Sequence, residues 1–333
     1  MSEFRQDISS GDWIILAAAR AARPHFLDEK KKPRKPTPKS KCPFEDLARS
    51  GNKTPILAYP NEKHWRTVLI PNKYPALSHG AACAVSFRHG IYHAKTGVGS
   101  HELVITRDHN KTFADLAPDA AAEVFRMFQA RHGMAAKERC NAYASSFFNW
   151  GPTAGASIWH PHYQVLILPI VPPHVAHSLR GSEAYFKKHH RCVRCDIIRA
   201  EKKEKARVVE ENKFAIALTP YASKIPFEIR ILPKTHHPHL SKTPFPVIRG
   251  TALLLQSVLR RVKKYANDPD FNVFIHDAPV DNDKYPHHHW HVEVTPKISI
   301  PAGFELSTGI NINVVDPDVA AAILRGEKVK SAK

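Results

Sequence analysis

Twice along this chain a strand-like run closes on a histidine, a helix-like run follows, and a His-x-His element comes next. The first set is His109, an apolar-periodic stretch over 114–134, and His160-Pro161-His162. The second is His236, a similar stretch over 246–265, and His289-Trp290-His291. From His109 to His160 is 51 positions, and from His236 to His289 is 53. A short cysteine element precedes each set, Cys42-Pro-Phe-Glu45 in one and Cys192-Val-Arg-Cys195 in the other. The same order at nearly the same spacing points to an internal duplication, with a first half over 1–178 and a second over 179–333. Three- and four-residue apolar steps predict helices in the two long stretches. The runs 164–170 and 292–296, each entered through a His-x-His element, predict strands, as do 101–109 and 227–236.

Composition narrows what such a chain can do. With 333 residues, 43% apolar and 24% charged, it can bury a substantial core. It contains no run of 18 apolar residues, so no membrane span is expected, and the charged N-terminus carries no signal-type stretch, which predicts a cytoplasmic protein. The net charge of +18 suggests nucleic acid at first sight. The excess is concentrated in 29–41, a Pro-rich segment that reads as an exposed loop, and in Lys187 to Arg207, and neither stretch interleaves bases with aromatics. A small anionic substrate suits the charge better. Five cysteines, an odd number without a secretion signal, predict no disulfide framework.

In a strand, residues i and i+2 face the same way, so each His-x-His can present two imidazoles together, one to ligate a metal and one to do chemistry. Cys192, Cys195, His236 and His289 form a candidate Cys2His2 zinc set; otherwise the two cysteines are an ordinary surface or core pair. The corresponding set in the first half is Cys42, Glu45, His109 and His160. Zinc accepts a carboxylate oxygen, although a mixed set binds less tightly or selects another divalent metal. The alternative is a degenerate site without metal in which His160 is simply hydrogen-bonded. His237, His239, His287 and His288 are expected to be solvated.

The segment from Asn149 to Gln164 resembles the active-site segment of galactose-1-phosphate uridylyltransferases, a branch of the histidine-triad superfamily. Asn149, Gly151, Gly155, Ser157, His160, Pro161, His162 and Gln164 stand in register with the family pattern Asn-x-Gly, Gly-x-Ser, His-Pro-His-x-Gln. Weaker similarities lie at 11–24, 72–77, 101–109, 219–236, 289–293 and 302–305. The resemblance implies an α+β fold of two histidine-triad-like units, each an antiparallel sheet packed with helices, and a homodimer. By it His162 is the nucleophile, His160 a zinc ligand, and Gln164 and Ser157 contacts to the transferred phosphoryl group. Arg20, Arg23, Asn72 and Asn149 fall at nucleotide- or phosphate-binding positions, some reaching across the dimer, and Phe304 and Glu305 fall where the family contacts the sugar. His291 is the non-catalytic copy of His162. Glu45 departs from the family's cysteine, and Tyr163 and Trp159 are bulkier than expected, which implies an altered pocket rim.

The chemistry suits these residue types. A neutral imidazole can attack the α-phosphorus of a nucleotide sugar, release a sugar 1-phosphate and pass the nucleotidyl group on. Ser157, Gln164 and amides of the Gly155 loop are candidates to stabilise the non-bridging oxygens. The resembling hydrolases carry a third His where this chain has Gln164, and the neutral amide suits transfer to a phosphate acceptor. Three functions follow as expectations. The leading one is UMP transfer from a UDP-sugar to a hexose 1-phosphate; the second is a related ADP-glucose or phosphate-dependent activity; the third is non-catalytic binding of nucleotide or nucleic acid.

Overall fold

The computed structural model describes residues 2–22, 36–48, 51, 54–80, 83–281 and 284–329. Arg23 and positions 29–35 of the basic segment lie outside the described residues. In chain order the strands of the first half are β1 (Glu3–Gln6), β2 (Trp13–Leu16), β3 (Leu57–Tyr59), β4 (Thr67–Pro71), β5 (Ser86–His89), β6 (Tyr92–Lys95), β7 (Ser100–Thr106), β8 (Tyr143–Trp150) and β9 (His162–Leu168). Helix α1 (Pro118–Ala135) lies between β7 and β8. Next come α2 (Pro173–His189), α3 (Val193–Glu204), β10 (Val208–Glu211), β11 (Ala215–Leu218), β12 (Ile229–Pro233), α4 (Phe245–Tyr265), β13 (Phe271–His276) and β14 (His291–Pro296). The chain closes through α5 (Gly303–Thr308), β15 (Asn311–Asn313) and α6 (Pro317–Arg325).

Ten strands form one sheet in the order β10-β11-β12-β14-β13-β8-β9-β7-β4-β3. The order is a palindrome about the β13–β8 pair: each half supplies five antiparallel strands, and the halves fuse edge to edge where Phe271 pairs with Trp150 and Ile275 with Ser146. Edge pairing satisfies backbone groups that each half would otherwise expose. The fold is thus the α+β duplication expected, with the two sheets continuous.

Helices α1 and α4 cover one face of this sheet. Proline occupies the first turn of each, where a missing N–H costs nothing. Val124, Phe125 and Phe128 of α1 and Leu254, Leu255 and Val258 of α4 join Tyr163, Val165, Ile167, Val292 and Val294 in one core. Full burial of each such side chain contributes about 1.5–3 kcal/mol. The alternation of β9, with 163, 165 and 167 buried and 162, 164, 166 and 168 half-buried, turns His162 and Gln164 to the opposite face. That second face carries His162, the candidate nucleophile.

Two expectations need correction. Cys83 and Cys140 are joined as a disulfide, Cα–Cα 5.5 Å and 57 positions apart. It ties the segment before β5 to the turn between α1 and β8, a pairing of two loops that cysteine parity cannot anticipate. His239 and His288 are buried, at 8% and 3% exposure, not solvated: His239, between β12 and α4, packs on Tyr285, and His288 leads into β14 beside His291. Among the described residues no helix is long and apolar enough to cross a membrane.

Candidate active site and metal centres

His162 opens β9, directly after the Pro161 linkage to His160. Its Nδ1 lies 3.1 Å from the His160 carbonyl oxygen. Nδ1–H donates to that oxygen, which fixes the tautomer and leaves the lone pair on Nε2. Burial lowers the His162 pKa below the usual imidazole value, the His160 carbonyl opposes the change, and the nearby His101 adds to the lowering. The ring is therefore neutral and nucleophilic at pH 7. Phe44 packs against both rings, with centroids 5.7 Å from His160 and 5.5 Å from His162.

Gln164, two positions along the same face, is held by a residue the sequence reading passed over. His101 of β7 is buried and accepts from the Ala76 amide at Nδ1, 3.2 Å. Its Nε2–H can then donate to Gln164 Oε1 at 2.9 Å, which leaves the Gln164 amide NH2 as the free donor. The Asn72 amide nitrogen lies 3.2 Å from His101 Nε2, so Asn72, His101 and Gln164 form a row leading to His162.

The loop from Gly151 to Ser157 is shaped from the second half. Gly151 has φ +87°, and a Cβ there would overlap the Asp270 carboxylate. Asp270 accepts from the Thr153 amide at 2.8 Å and its hydroxyl at 2.6 Å. Gly155 adopts φ +88°. Asn149 accepts from Asn272 at 2.7 Å, and Asn272 also donates to the Ala154 carbonyl at 2.8 Å. Ser157 is exposed and lines a cavity of about 210 Å³ with Trp150, Gly151 and Trp159. Trp159 donates to Asn110 and packs on Trp150. Tyr163, by contrast, is 1% exposed and packs on Phe113 and Phe148; it points into the core, away from the rim where the sequence reading put it, because odd positions of β9 face the helices.

Both metal-ligand sets assemble. Cys42, Glu45, His109 and His160 present ligand atoms all within 4.8 Å of one another, and so do Cys192, Cys195, His236 and His289. In the first set, His109 Nε2 lies 2.7 Å from the Thr37 carbonyl and His160 Nε2 lies 2.7 Å from the Thr106 carbonyl. Each Nε2–H donates outward, so both Nδ1 lone pairs turn inward. His109 Nδ1 then meets Glu45 Oε1 at 2.9 Å, and neither atom has a hydrogen-bond partner. Two buried lone pairs so close call for a cation between them. In the second set Cys195 Sγ lies 3.5 Å from His236 Nδ1 and 3.6 Å from His289 Nδ1. Hydrogen bonds from Cys195, His236 and His289, working against burial, drive the Cys192 thiol far down, the thiolate a soft metal requires. His236 is the exposed member.

A third grouping, His276, His291 and Glu293, also converges within 4.8 Å. It sits at the second half's counterpart of the His162 position, and the sequence pattern gave no sign of it because His276 lies outside the His-x-His element. Arg20 follows β2, and Phe304 and Glu305 lie on α5, just before β15. Since β15 pairs with β2 in a separate three-stranded sheet, β1-β2-β15, all three flank that sheet. No hydrogen bond or ring contact among the described residues joins them to His162 within one chain.

Sequence and structure comparisons identify the family. The pattern for the N-terminal domain of galactose-1-phosphate uridyl transferase matches residues 1–172, and that for the C-terminal domain matches 178–302. An ADP-glucose phosphorylase from Arabidopsis thaliana is 33% identical over 97% of this chain and 92% of its own length. A galactose-1-phosphate uridylyltransferase from Thermotoga maritima is 25% identical over 99% of this chain and all of its own. The crystal structure of an ADP-glucose phosphorylase from Arabidopsis thaliana with bound ADP-glucose superposes with a TM-score of 0.84 at 29% identity, covering 99% of this chain and 100% of the other. A uridylyltransferase structure gives 0.74 at 25% identity, covering 98% of each. The chain belongs to the galactose-1-phosphate uridyl transferase family of nucleotidyltransferases.

Proposed function

We propose that this enzyme moves a nucleotidyl group through a covalent nucleotidyl-His162 intermediate, with ADP-glucose as donor and inorganic phosphate as acceptor. The observation that carries the transfer is the tautomer lock on His162: Nδ1 is tied to the His160 carbonyl, and Nε2 is left to attack. Nε2 forms a bond to the α-phosphorus as the bond to the bridging oxygen breaks, and glucose 1-phosphate departs. That leaving group is already a weak base, so no strong general acid is required. An oxygen of phosphate then attacks the same phosphorus, ADP leaves and His162 returns neutral. The Gln164 amide, aimed by His101, and Ser157 donate to the non-bridging oxygens as their charge grows. Asn72 and Asn149 hold the nucleotide.

The choice of adenine donor and phosphate acceptor rests on the Arabidopsis relative, at 33% identity. The second reading, UMP transfer from a UDP-sugar to a hexose 1-phosphate, is favoured by the family description of both halves and by the Thermotoga relative. A product assay across UDP-, ADP- and GDP-glucose, each with phosphate or galactose 1-phosphate, separates them: ADP formed from ADP-glucose and phosphate supports the first, UDP-galactose the second. Absence of any nucleotidyl product rejects both.

Zinc suits both tetrads. The second is thiolate-rich and the stronger of the two; in the first, the lone pairs of Glu45 and His109 supply the demand. When bound, zinc supplies charge neutralisation and a fixed imidazole at His160, whose carbonyl in turn holds His162. Arg20, Arg23, Phe304 and Glu305 serve the site of a second copy in a homodimer; Phe304 at 43% exposure, with Leu306 at 76% and Ile300 at 92%, leaves an apolar surface to be covered. The two functional halves, 1–178 and 179–333, are joined through α2. The enzyme works in the cytoplasm, on substrates that are themselves anionic.

A further inference from the structure

A second side-chain amide beside His162 has its direction fixed, and the residue that fixes it comes from the other half. Asn149, near the end of β8, shares the face of Phe147, away from the buried Ser146 and Phe148. The pairing of Phe148 with Tyr163 puts Asn149 next to His162 on the neighbouring strand, where facing side chains stand about 4.5–5.5 Å apart at Cβ. On its other side β13 pairs Asn272 with Asn149. One lateral row of the sheet therefore reads Asn272, Asn149, His162.

A side-chain amide can face either way, and here a backbone carbonyl decides. The Asn272 amide lies 2.8 Å from the Ala154 carbonyl oxygen, which can only accept, so the near atom is Nδ2. Its other N–H points to Asn149 at 2.7 Å, so the Asn149 atom that receives it is Oδ1. Asn149 Nδ2 is thereby turned toward the Gly155 turn, where a Cβ built on the glycine would stand 3.8 Å from it. Among the described residues Asn149 Nδ2 makes no hydrogen bond. Both asparagines are half-buried and line an open groove of about 370 Å³ with Phe147 and Phe274. An amide NH2 held beside the nucleophile is a donor for a phosphoryl oxygen; the reversed amide would set its own oxygen against that charge.

We propose that Asn272 is a positioning residue supplied by the second half: it holds Asn149 Oδ1, so that Asn149 Nδ2 meets a non-bridging oxygen of the transferred phosphoryl group. The inference rests on the reading of His162 as the residue that accepts this group, and it gives the half without the nucleophile a part in the chemistry. Four variants of the zinc-loaded full chain test it: Asn149→Ala, Asn149→Asp, Asn272→Ala and the double variant Asn149→Ala with Asn272→Ala. Two readouts are taken, equilibrium dialysis with radiolabelled AMP or UMP and the single-turnover rate of His162 labelling from α-labelled ADP-glucose or UDP-glucose. Labelling should slow about 100-fold in Asn149→Ala and about tenfold in Asn272→Ala, the scales of losing a prepositioned donor and of loosening one. The double variant should be no slower than Asn149→Ala alone, because Asn272 acts through Asn149. Asn149→Asp still accepts from Asn272 but turns a carboxylate oxygen to the phosphate, so it should label more slowly than Asn149→Ala and bind the monophosphate more weakly. Losses that multiply in the double variant would place the effect in the Ala154 turn and overturn the proposal, as would wild-type behaviour of Asn149→Asp or Asn272→Ala. A wild type that binds a monophosphate yet takes no label rejects the covalent intermediate, and the order of affinities among the variants then decides the role of Asn272. Binding of neither AMP nor UMP overturns it.

Discussion

His101 Nε2 stands 2.9 Å from Gln164 Oε1, and this contact decides which end of the Gln164 amide faces the substrate. With the oxygen engaged, only the NH2 remains to meet a phosphoryl oxygen. In the proposed reaction this makes His101 a positioning residue.

Replacing His101 with Asn should therefore lower kcat about 10–100-fold, the scale of losing an orienting contact, with a smaller change in KM. The pH profile adds a readout that a merely structural role would not move. Attack needs neutral His162, whose pKa burial and His101 hold below the ordinary value. The wild-type rate should therefore persist below pH 6.5 and fall only as His162 protonates. Without the His101 ring the acid limb should move to higher pH. An unchanged limb together with unchanged kcat would remove His101 from the account.

Metal removal should act on the fold before the chemistry. Elemental analysis should give at least one zinc per chain, and Cys192→Ser should lower both zinc content and Tm, because structural zinc binding is folding free energy. Metal-free protein with an undiminished Tm would contradict the second-half site. Glu45→Ala should affect turnover more than Tm, since the first set holds His160 and, through its carbonyl, His162.

Asp7 and Arg230 form a buried pair at 2.7 Å. Burial alone would raise the Asp7 pKa, but Arg230, the Ser9 hydrogen bond and Arg194 together drive it far below the carboxylate range. A depressed carboxyl contributes stability that is complete above the unfolded value, near 3.9, and is lost as pH falls through the folded one. Asp7→Asn should cost about 3–5 kcal/mol at pH 7, measured by urea unfolding, and the variant's deficit should shrink below about pH 4. A deficit constant from pH 7 to pH 3 would show that the loss is not electrostatic.

Much of the site could be read from sequence because it is local. The His160–Gln164 run sits on one strand, and Cys42 to Glu45 and Cys192 to Cys195 each lie in one turn. What escaped detection depends on distant chain. Asp7 meets Arg230 across 223 positions, Asp270 shapes the Gly151 loop from the other half, and Cys83 finds Cys140 between two irregular loops. No local periodicity encodes those pairings. The fusion of both halves into one sheet likewise depends on two edge strands, β8 and β13, whose alternation is the same whether or not they meet. Tyr163 follows from the same alternation that puts His162 and Gln164 on one face: as the intervening residue of β9 it faces the helices.

Gly151→Ala tests the loop architecture. Its positive φ and the Asp270 carboxylate both exclude a Cβ, so the variant should lose about 1–3 kcal/mol or shift the loop. Turnover should drop more than Tm if the loop amides serve the phosphoryl group. Full activity would show that the loop is a bystander.

The central claim is the phosphorus–nitrogen bond at position 162. Mixing the enzyme with ADP-glucose labelled in the α-phosphate and quenching in alkali should leave about one acid-labile label per chain, on the peptide that contains His162, and none in His162→Gly. Label at another residue, or no label with either ADP-glucose or UDP-glucose, would contradict it.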